Sequence, residues 1–192
     1  MADQALSPVR SLGSYRSYLR ALAGVQFPRP LRGKLDASDV AQKTLLKAHE
    51  NFAQFRGGSD GELAAWLRRI LTNVLTDELR RAAAAVRNLA LEQSIAPAVE
   101  QSSWRLEAWL AGEGASPSEQ ALRHEQLLRL ADALAQLPED QRTAVELQKL
   151  HGMSVEVVAR EMARTKSAVG GLLRRGMRRL RELMQEGASD VP

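Results

Sequence analysis

Residues 36–81 read DASDVAQKTLLKAHENFAQFRGGSDGELAAWLRRILTNVLTDELRR, and this stretch decides the fold of the N-terminal half. Apolar residues recur every three or four positions on both sides of Gly57-Gly58, which is the spacing of two amphipathic helices. Asp36 is a helix cap, and Ser59 with Glu62 forms a capping box. The predicted buried stripes are Val40, Thr44, Leu45, Ala48, Phe52 and Phe55, followed by Leu63, Trp66, Leu67, Ile70, Leu71, Val74 and Leu75.

The outer faces of these two helices differ in chemistry. The first carries a mixed face of the kind that docks on another protein: Asp39, Gln42, Lys43, Leu46, His49 and Glu50. The second is cationic and rich in hydrogen-bonding groups: Arg68, Arg69, Thr72, Asn73, Thr76 and Arg80, with Arg81 beside them. Periodicity alone leaves a solvated helical hairpin open as an equal alternative.

The motifs in this stretch resemble conserved region 2 of bacterial RNA polymerase sigma factors, and most closely the extracytoplasmic-function (ECF) class. The resemblance rests on Asp36-Ala37-Ser38-Asp39-Val40-x-Gln42, Phe52-x-x-Phe55-Arg56-Gly57, Trp66-Leu67 and Asp77-x-x-Arg80-Arg81. It implies that the first helix docks on a coiled coil of the largest polymerase subunit. It also implies that the second helix and the loop before it read and melt the −10 promoter element. The implied −10 residues are Arg56, Gly57, Gly58, Ser59, Arg68, Arg69, Asn73, Thr76, Arg80 and Arg81.

Composition narrows the class of protein. The chain has 192 residues, of which 44% are hydrophobic and only 4% aromatic, a balance that favours packed helices. The net charge of +4 leans weakly towards nucleic acid. There is no cysteine, so disulfides and thiolate metal sites are excluded. The start has no apolar signal segment and no apolar run long enough to span a membrane, so we expect a cytoplasmic protein without a membrane partner.

The organisation predicted is all-α, with two small helical domains. Residues 1–82 form a three-helix bundle, in which a first helix from about Ser14 precedes the two helices above. Residues 83–117 form a flexible acidic linker, because prolines, glycines and serines punctuate it and because Arg105 is the single base among five glutamates between Asn88 and Gln120. Three roles stay open for this linker: a solubilising tether, a nucleic-acid mimic in a polymerase channel, or a clasp in which Trp104 and Trp109 pin the domains together.

Residues 118–192 are predicted to form a four-helix domain that contains a helix-turn-helix. Pro138-Glu139-Asp140 starts a new helix, Ser154 caps a short one, and Ala163-Arg164-Thr165 is the turn before a long basic helix. Every charged residue from Arg164 to Arg181 is positive, as a helix that neutralises phosphates requires. Helical hairpins with basic tails share this pattern, so it is not specific by itself.

With Leu137-Pro138-Glu139-Asp140-Gln141-Arg142 ahead of it, this block resembles sigma region 4, which reads the −35 element and touches the polymerase flap. The implied −35 residues are Thr165, Lys166, Ser167, Gly170, Gly171, Arg174, Arg175 and Arg178. The sequence departs from the family here, because Gly170 and Gly171 occupy the positions that most often touch bases. Direct base readout is therefore in question, and Thr165, Arg174 and Arg175 become the better candidates.

The function predicted is that of a sigma factor: it binds core RNA polymerase and promoter DNA, and it directs initiation without catalysis. No cofactor or metal is expected, because His49, His124 and His151 fit no metal-ligand spacing and Gly57-Gly58 lacks the lysine of a phosphate loop. An anti-sigma or other regulatory partner is compatible with this class. The alternatives are a stand-alone helix-turn-helix regulator with an N-terminal dimerisation domain and a helical interaction protein without DNA.

Overall fold

The structure is a computed structural model, and it describes residues 12–27, 31, 35–85, 95–110 and 117–189. In these ranges the protein is all-α, as predicted. The helices are α1 (Arg16–Gly24), α2 (Ala37–Glu50), α3 (Asp60–Ala85), α4 (Ile95–Leu110), α5 (Pro117–Gln136), α6 (Glu139–Lys149), α7 (Val155–Glu161) and α8 (Lys166–Ser189), with a 3-10 turn at Phe52–Gln54.

The N-terminal module packs α1, α2 and α3 around one core. Most of the predicted stripe residues are buried, Val40 and Leu67 almost fully, while Leu45, Phe52, Phe55, Trp66 and Ile70 are partly buried. Tyr18, Leu19 and Leu22 of α1 complete this core. The predicted caps are present: the amide of Ser38 donates to the Asp36 carboxylate at 2.7 Å, and the amide of Glu62 donates to the Ser59 hydroxyl at 3.3 Å. Local sequence therefore places both helix starts, and apolar burial fixes how the helices face each other.

The C-terminal module packs α5 to α8 around Leu134, Val145, Leu150 and Val169. The amide of Val157 donates to Ser154 at 3.4 Å, which caps α7 as predicted. The predicted turn lies between α7 and α8, and its first residue, Ala163, has a left-handed backbone with a φ of 52°. This is the helix-turn-helix arrangement that the sequence predicts.

The segment between the modules differs from the expected linker, because residues 95–110 form a sixteen-residue helix rather than one or two turns. Pro97 lies in the first turn of α4, where the missing amide proton costs no helical hydrogen bond. Val99, Ser102, Ser103 and Leu106 are buried at helical spacing, so one face of α4 packs on the rest of the chain. Residues 86–94 and 111–116 lie outside the described ranges.

Direct contacts also join the modules. The Tyr15 hydroxyl lies 2.6 Å from Nε2 of His124 on α5, and the two rings are 5.3 Å apart. A second link joins Arg20 on α1 to Glu146 on α6, with 3.6 Å between Nη2 and Oε1. Tyr15, which precedes α1, and Arg20 on α1 thus reach across to the C-terminal module, which packs against this helix.

Candidate nucleic-acid and protein interfaces

The outer side of α2 is one continuous exposed surface, which we call the docking face. It consists of Asp39, Gln42, Lys43, Leu46, His49 and Glu50, and all six are exposed. Leu46 is 57% exposed, one of only two large hydrophobic residues that lie in the open among the described residues. An exposed apolar side chain ringed by charges suits a protein partner better than solvent.

Ion pairs between α2 and α3 hold the docking face in place. Lys43 Nζ lies 2.8 Å from Glu78 Oε1, and Lys47 Nζ lies 3.8 Å from Asp77 Oδ2. The hydrogen bond from Lys43 lowers the pKa of Glu78, so this carboxylate is ionised at neutral pH. Arg81 also pairs with Glu78 at 2.9 Å, which places this predicted −10 residue on the α2 side of α3.

Four of the predicted −10 residues form one exposed row along α3, which we call the strand row: Arg69, Asn73, Thr76 and Arg80. Their spacings of four, three and four keep them on one side of the helix. Thr76 is half-buried, and its hydroxyl donates to the carbonyl of Thr72 at 2.8 Å. The two arginines and Asn73 therefore supply the free donors of this row.

Arg68 does not share that row. Its side chain is 14% exposed and points towards α4, where Nε donates to both carboxylate oxygens of Glu100 at 3.0 Å. Its Nη1 donates to the Tyr18 hydroxyl at 3.1 Å. Burial lowers the pKa of Arg68, but Tyr18 and Glu100 outweigh burial and raise it overall, so this cation stays charged.

The loop before α3 is built on aromatic rings. Phe52, Phe55 and Trp66 stack with centroid distances between 5.3 and 6.2 Å, so Trp66 is a packing residue, as its spacing predicts. A Cβ on Gly57 would lie 2.5 Å from the Phe55 ring, so Gly57 is required by packing. The Glu62 carboxylate accepts from the amides of Gly58 and Ser59, at 2.9 and 3.1 Å, and fixes the loop.

The recognition side of α8 is exposed and basic. Of the predicted −35 residues, only Gly171 is partly covered. The Thr165 hydroxyl accepts from the amide of Ala168 at 3.2 Å, so it caps α8, while Lys166 pairs with Glu156 at 2.9 Å. Arg174 and Arg175 have no ion-pair partner among residues 12–189 that the structure describes, and they face solvent.

The two glycines in α8 differ in their surroundings. A Cβ on Gly170 would meet nothing within 4 Å, and one on Gly171 would meet the Arg175 guanidinium at 3.3 Å. Glycine at a helix interior costs about 1 kcal/mol relative to alanine. No contact within the described part of the chain explains why position 170 is glycine.

Sequence reasoning missed the contacts that α4 makes. Of its two tryptophans, Trp104 is 67% exposed and so pins nothing, while Lys149 Nζ lies 5.8 Å from the ring centroid of Trp109. The buried anchors are instead Val99 and Leu106. Their spacing of seven is a helical signal, but the surrounding proline, glycine and serine residues obscured it.

Comparison with known proteins assigns the family. The family model of Sigma-70 region 2 matches residues 14–85, and that of Sigma-70, region 4 matches residues 127–180. The chain is 31% identical over 152 residues to the ECF RNA polymerase sigma factor SigL of Mycobacterium tuberculosis, covering 78% of this chain and 75% of SigL. The chain belongs to the ECF sigma factor family.

Two further similarities were found. SigM of Mycobacterium tuberculosis is 28% identical over 149 residues, and the match spans 78% of this chain but only 64% of SigM. A solved structure, the sigma factor RpoE of Bartonella quintana in complex with the anti-sigma factor NepR, is 24% identical and covers 92% of this chain and 95% of that one. Its TM-score is 0.34.

Among the described residues no group of histidines and carboxylates could hold a metal ion. No helix in the same ranges is long and apolar enough to cross a membrane.

Proposed function

We propose that this ECF sigma factor binds core RNA polymerase through the docking face and directs initiation at specific promoters. In this proposal the strand row and the loop from Arg56 to Ser59 hold the opened −10 element. The basic side of α8 binds the −35 duplex, mainly through phosphates. The action is one of binding and takes place in the cytoplasm, where polymerase and DNA meet.

One observation carries the proposal: a single helical hairpin has two exposed sides of different chemistry. Leu46 and its charged neighbours offer an apolar centre with a polar rim, which is the anatomy of a protein interface. Arg69, Asn73 and Arg80 offer cations and an amide along 12 residues of α3, which suits a separated strand. Matches to both sigma regions, in this order along the chain, support the same assignment.

Run-off transcription with purified core polymerase and genomic fragments tests the proposal. We expect specific transcripts that require both the chain and core enzyme. Gel-shift assays on the same fragments separate the alternatives, because a stand-alone regulator binds its site without core and a scaffold binds in neither case. Specific binding by the chain alone, with no core-dependent transcript, would contradict the proposal.

Two variants test the strand row. Asn73→Ala and Arg80→Ala are each expected to reduce promoter opening about five- to tenfold, since one lost hydrogen bond is worth on the order of 1 kcal/mol. Attachment to polymerase should stay unchanged, because both residues lie away from the docking face. Permanganate reactivity of unpaired thymines measures opening, and Arg129→Ala on α5 is the charge-matched control for Arg80→Ala. Equal loss of opening in that control would remove the strand row from the mechanism.

A further inference from the structure

Glu100 occupies the place on Arg68 that a phosphate would take. The two carboxylate oxygens share the single Nε–H of Arg68, each 3.0 Å from Nε, and the guanidinium also reaches Tyr18. A guanidinium binds carboxylate and phosphate by the same charge-assisted geometry, so the two anions compete for it. While Glu100 is in place, Arg68 is closed to a nucleic-acid strand.

The contact is a packed interface and not an isolated ion pair. Val99 and Leu106 of α4 are fully buried, and α4 packs on α1 and α3 of the N-terminal module. Gln26 Nε2 donates to the Ser102 hydroxyl at 3.0 Å, and the hydroxyls of Tyr18 and Ser103 lie 2.8 Å apart. Since an exposed pair alone contributes little, these buried contacts are what hold Glu100 over Arg68.

The same helix also holds the C-terminal module. The Arg105 guanidinium donates to the carbonyls of Leu150 and His151, at the turn between α6 and α7. A Cβ on Gly152 would lie 2.6 Å from that guanidinium, so glycine leaves the space that Arg105 fills. Gly152 has a φ of 76°, which also favours glycine. Thus α4 binds both modules at once.

From these contacts we propose that α4 is an internal mask of the nucleic-acid surface. In the free chain it competes with a DNA strand for Arg68 and leaves the docking face uncovered, so polymerase can bind while the mask is in place. The mask rests on the proposed function, and it adds an order of events: docking comes first, and a strand phosphate then replaces Glu100. The exposed strand row stays available to start that exchange.

Glu100→Gln tests the mask, because it keeps the size of the side chain and removes its charge. The probe is a fluorescein-labelled single-stranded DNA of mixed sequence, bound to the free chain at low salt and followed by anisotropy. We expect about fivefold tighter binding than wild type, the effect of losing a half-exposed ion pair. The charge-matched control is Glu125→Gln on α5, whose ion pair among the described residues is with Arg129 of the same helix at 3.7 Å, and it should change binding less than twofold.

Adding Arg68→Gln to the Glu100→Gln variant ties the gain to its proposed cause. The double variant should lose the fivefold gain, since the two residues act as one pair. If Glu100→Gln binds no tighter than Glu125→Gln, or if its gain survives without Arg68, the mask is wrong.

Leu106→Ala gives an independent reading, because it removes a buried anchor and leaves every charge unchanged. Hydrogen exchange should show lower protection of residues 98–110 than in wild type, together with tighter binding of the same DNA. Faster exchange without tighter binding would overturn the mask.

Transcription separates the two proposals. If the wild-type chain initiates with core polymerase but Glu100→Gln gains no affinity for DNA, the proposed function stands and the mask is wrong. A chain that gains affinity in the variant but never initiates with core keeps the mask and loses the proposed function.

Discussion

Two sides of the N-terminal module are presented very differently in the free chain. The docking face on α2 is open, and Leu46 at its centre is 57% exposed. On the opposite side, the Arg68 side chain is 14% exposed and paired with Glu100. Both belong to one three-helix bundle, so the difference arises from α4, which covers only the second side. The residues of a surface therefore determine its chemistry, but packing by an element outside the module determines whether a partner can reach it.

The difference between the two sides can be described in terms of free energy. Burying a leucine side chain contributes about 1.5–3 kcal/mol, so an open Leu46 keeps that free energy for a partner. Arg68 is covered by α4 and loses contact with water. The Glu100 carboxylate replaces that water and helps to raise the pKa of Arg68 while α4 is docked. This difference supports the proposed order of events, in which protein docking precedes nucleic-acid binding.

The largest expected effect comes from breaking the open side with Leu46→Asp. The change removes apolar area from the centre of the docking face and forces a carboxylate to lose its water there. We expect affinity for core polymerase to fall about 30-fold or more, as for a hot-spot side chain. The free energy of unfolding should change by less than about 0.5 kcal/mol, because the site is exposed. Biolayer interferometry with immobilised core and urea unfolding measure the two quantities.

Gln136→Asp on α5 is the control for Leu46→Asp, since it adds the same charge at an exposed position outside the docking face. It should bind core polymerase as wild type does. Unchanged binding by Leu46→Asp would show that the open surface of α2 is not where the polymerase docks.

Periodicity predicted the two-sided hairpin well. Val40 and Leu67 are buried while Gln42 and Arg69 are exposed, as the three- and four-residue spacing requires. This information is local, because the direction of each side chain from a helix depends only on its position along that helix. The capping residues Asp36 and Ser59 were predictable for the same reason.

Periodicity did not separate Arg68 from Arg69. Consecutive residues point about 100° apart on a helix, so only one of the pair can lie on the strand row. Which of them is covered depends on α4, whose segment carried the proline and glycine signals of a linker. Contact with α4, which is distant in sequence, determines which arginine is covered, and no pattern within α3 predicts that contact.

The second expected effect is a change in stability with pH, and it comes from Glu146 at the contact between the modules. Burial raises its pKa to about 7, against the opposing influence of Arg20 and Arg142. Its unfolded pKa is near 4.5, so the folded state holds the proton more tightly between these values. This contribution to stability is complete below about pH 4.5 and is lost as pH rises through about 7. We expect a decrease of about 2 kcal/mol between pH 5 and pH 8.

Urea unfolding at pH 5, 6, 7 and 8 measures this slope. Burial lowers the pKa of His124 and contributes a slope of the opposite sign, so the test is the difference between wild type and Glu146→Gln. The variant, whose amide does not titrate, should lack the decrease between pH 5 and pH 8. The same slope in both proteins would show that Glu146 does not set the pH dependence of the module interface.

The smallest expected effect comes from Ser59→Ala, in the loop before α3. The Ser59 hydroxyl accepts from the Glu62 amide and donates to its carboxylate, at 3.3 and 3.0 Å, and so orders the loop before α3. Loss of this cap should lower the free energy of unfolding by about 1 kcal/mol. Promoter opening, read by permanganate, should fall about twofold because the loop that is proposed to capture a −10 base is less ordered.

Ser154→Ala removes the corresponding cap of α7 and should cost similar stability without reducing opening. Equal loss of opening in both variants would mean that general stability, and not the order of this loop, limits the step.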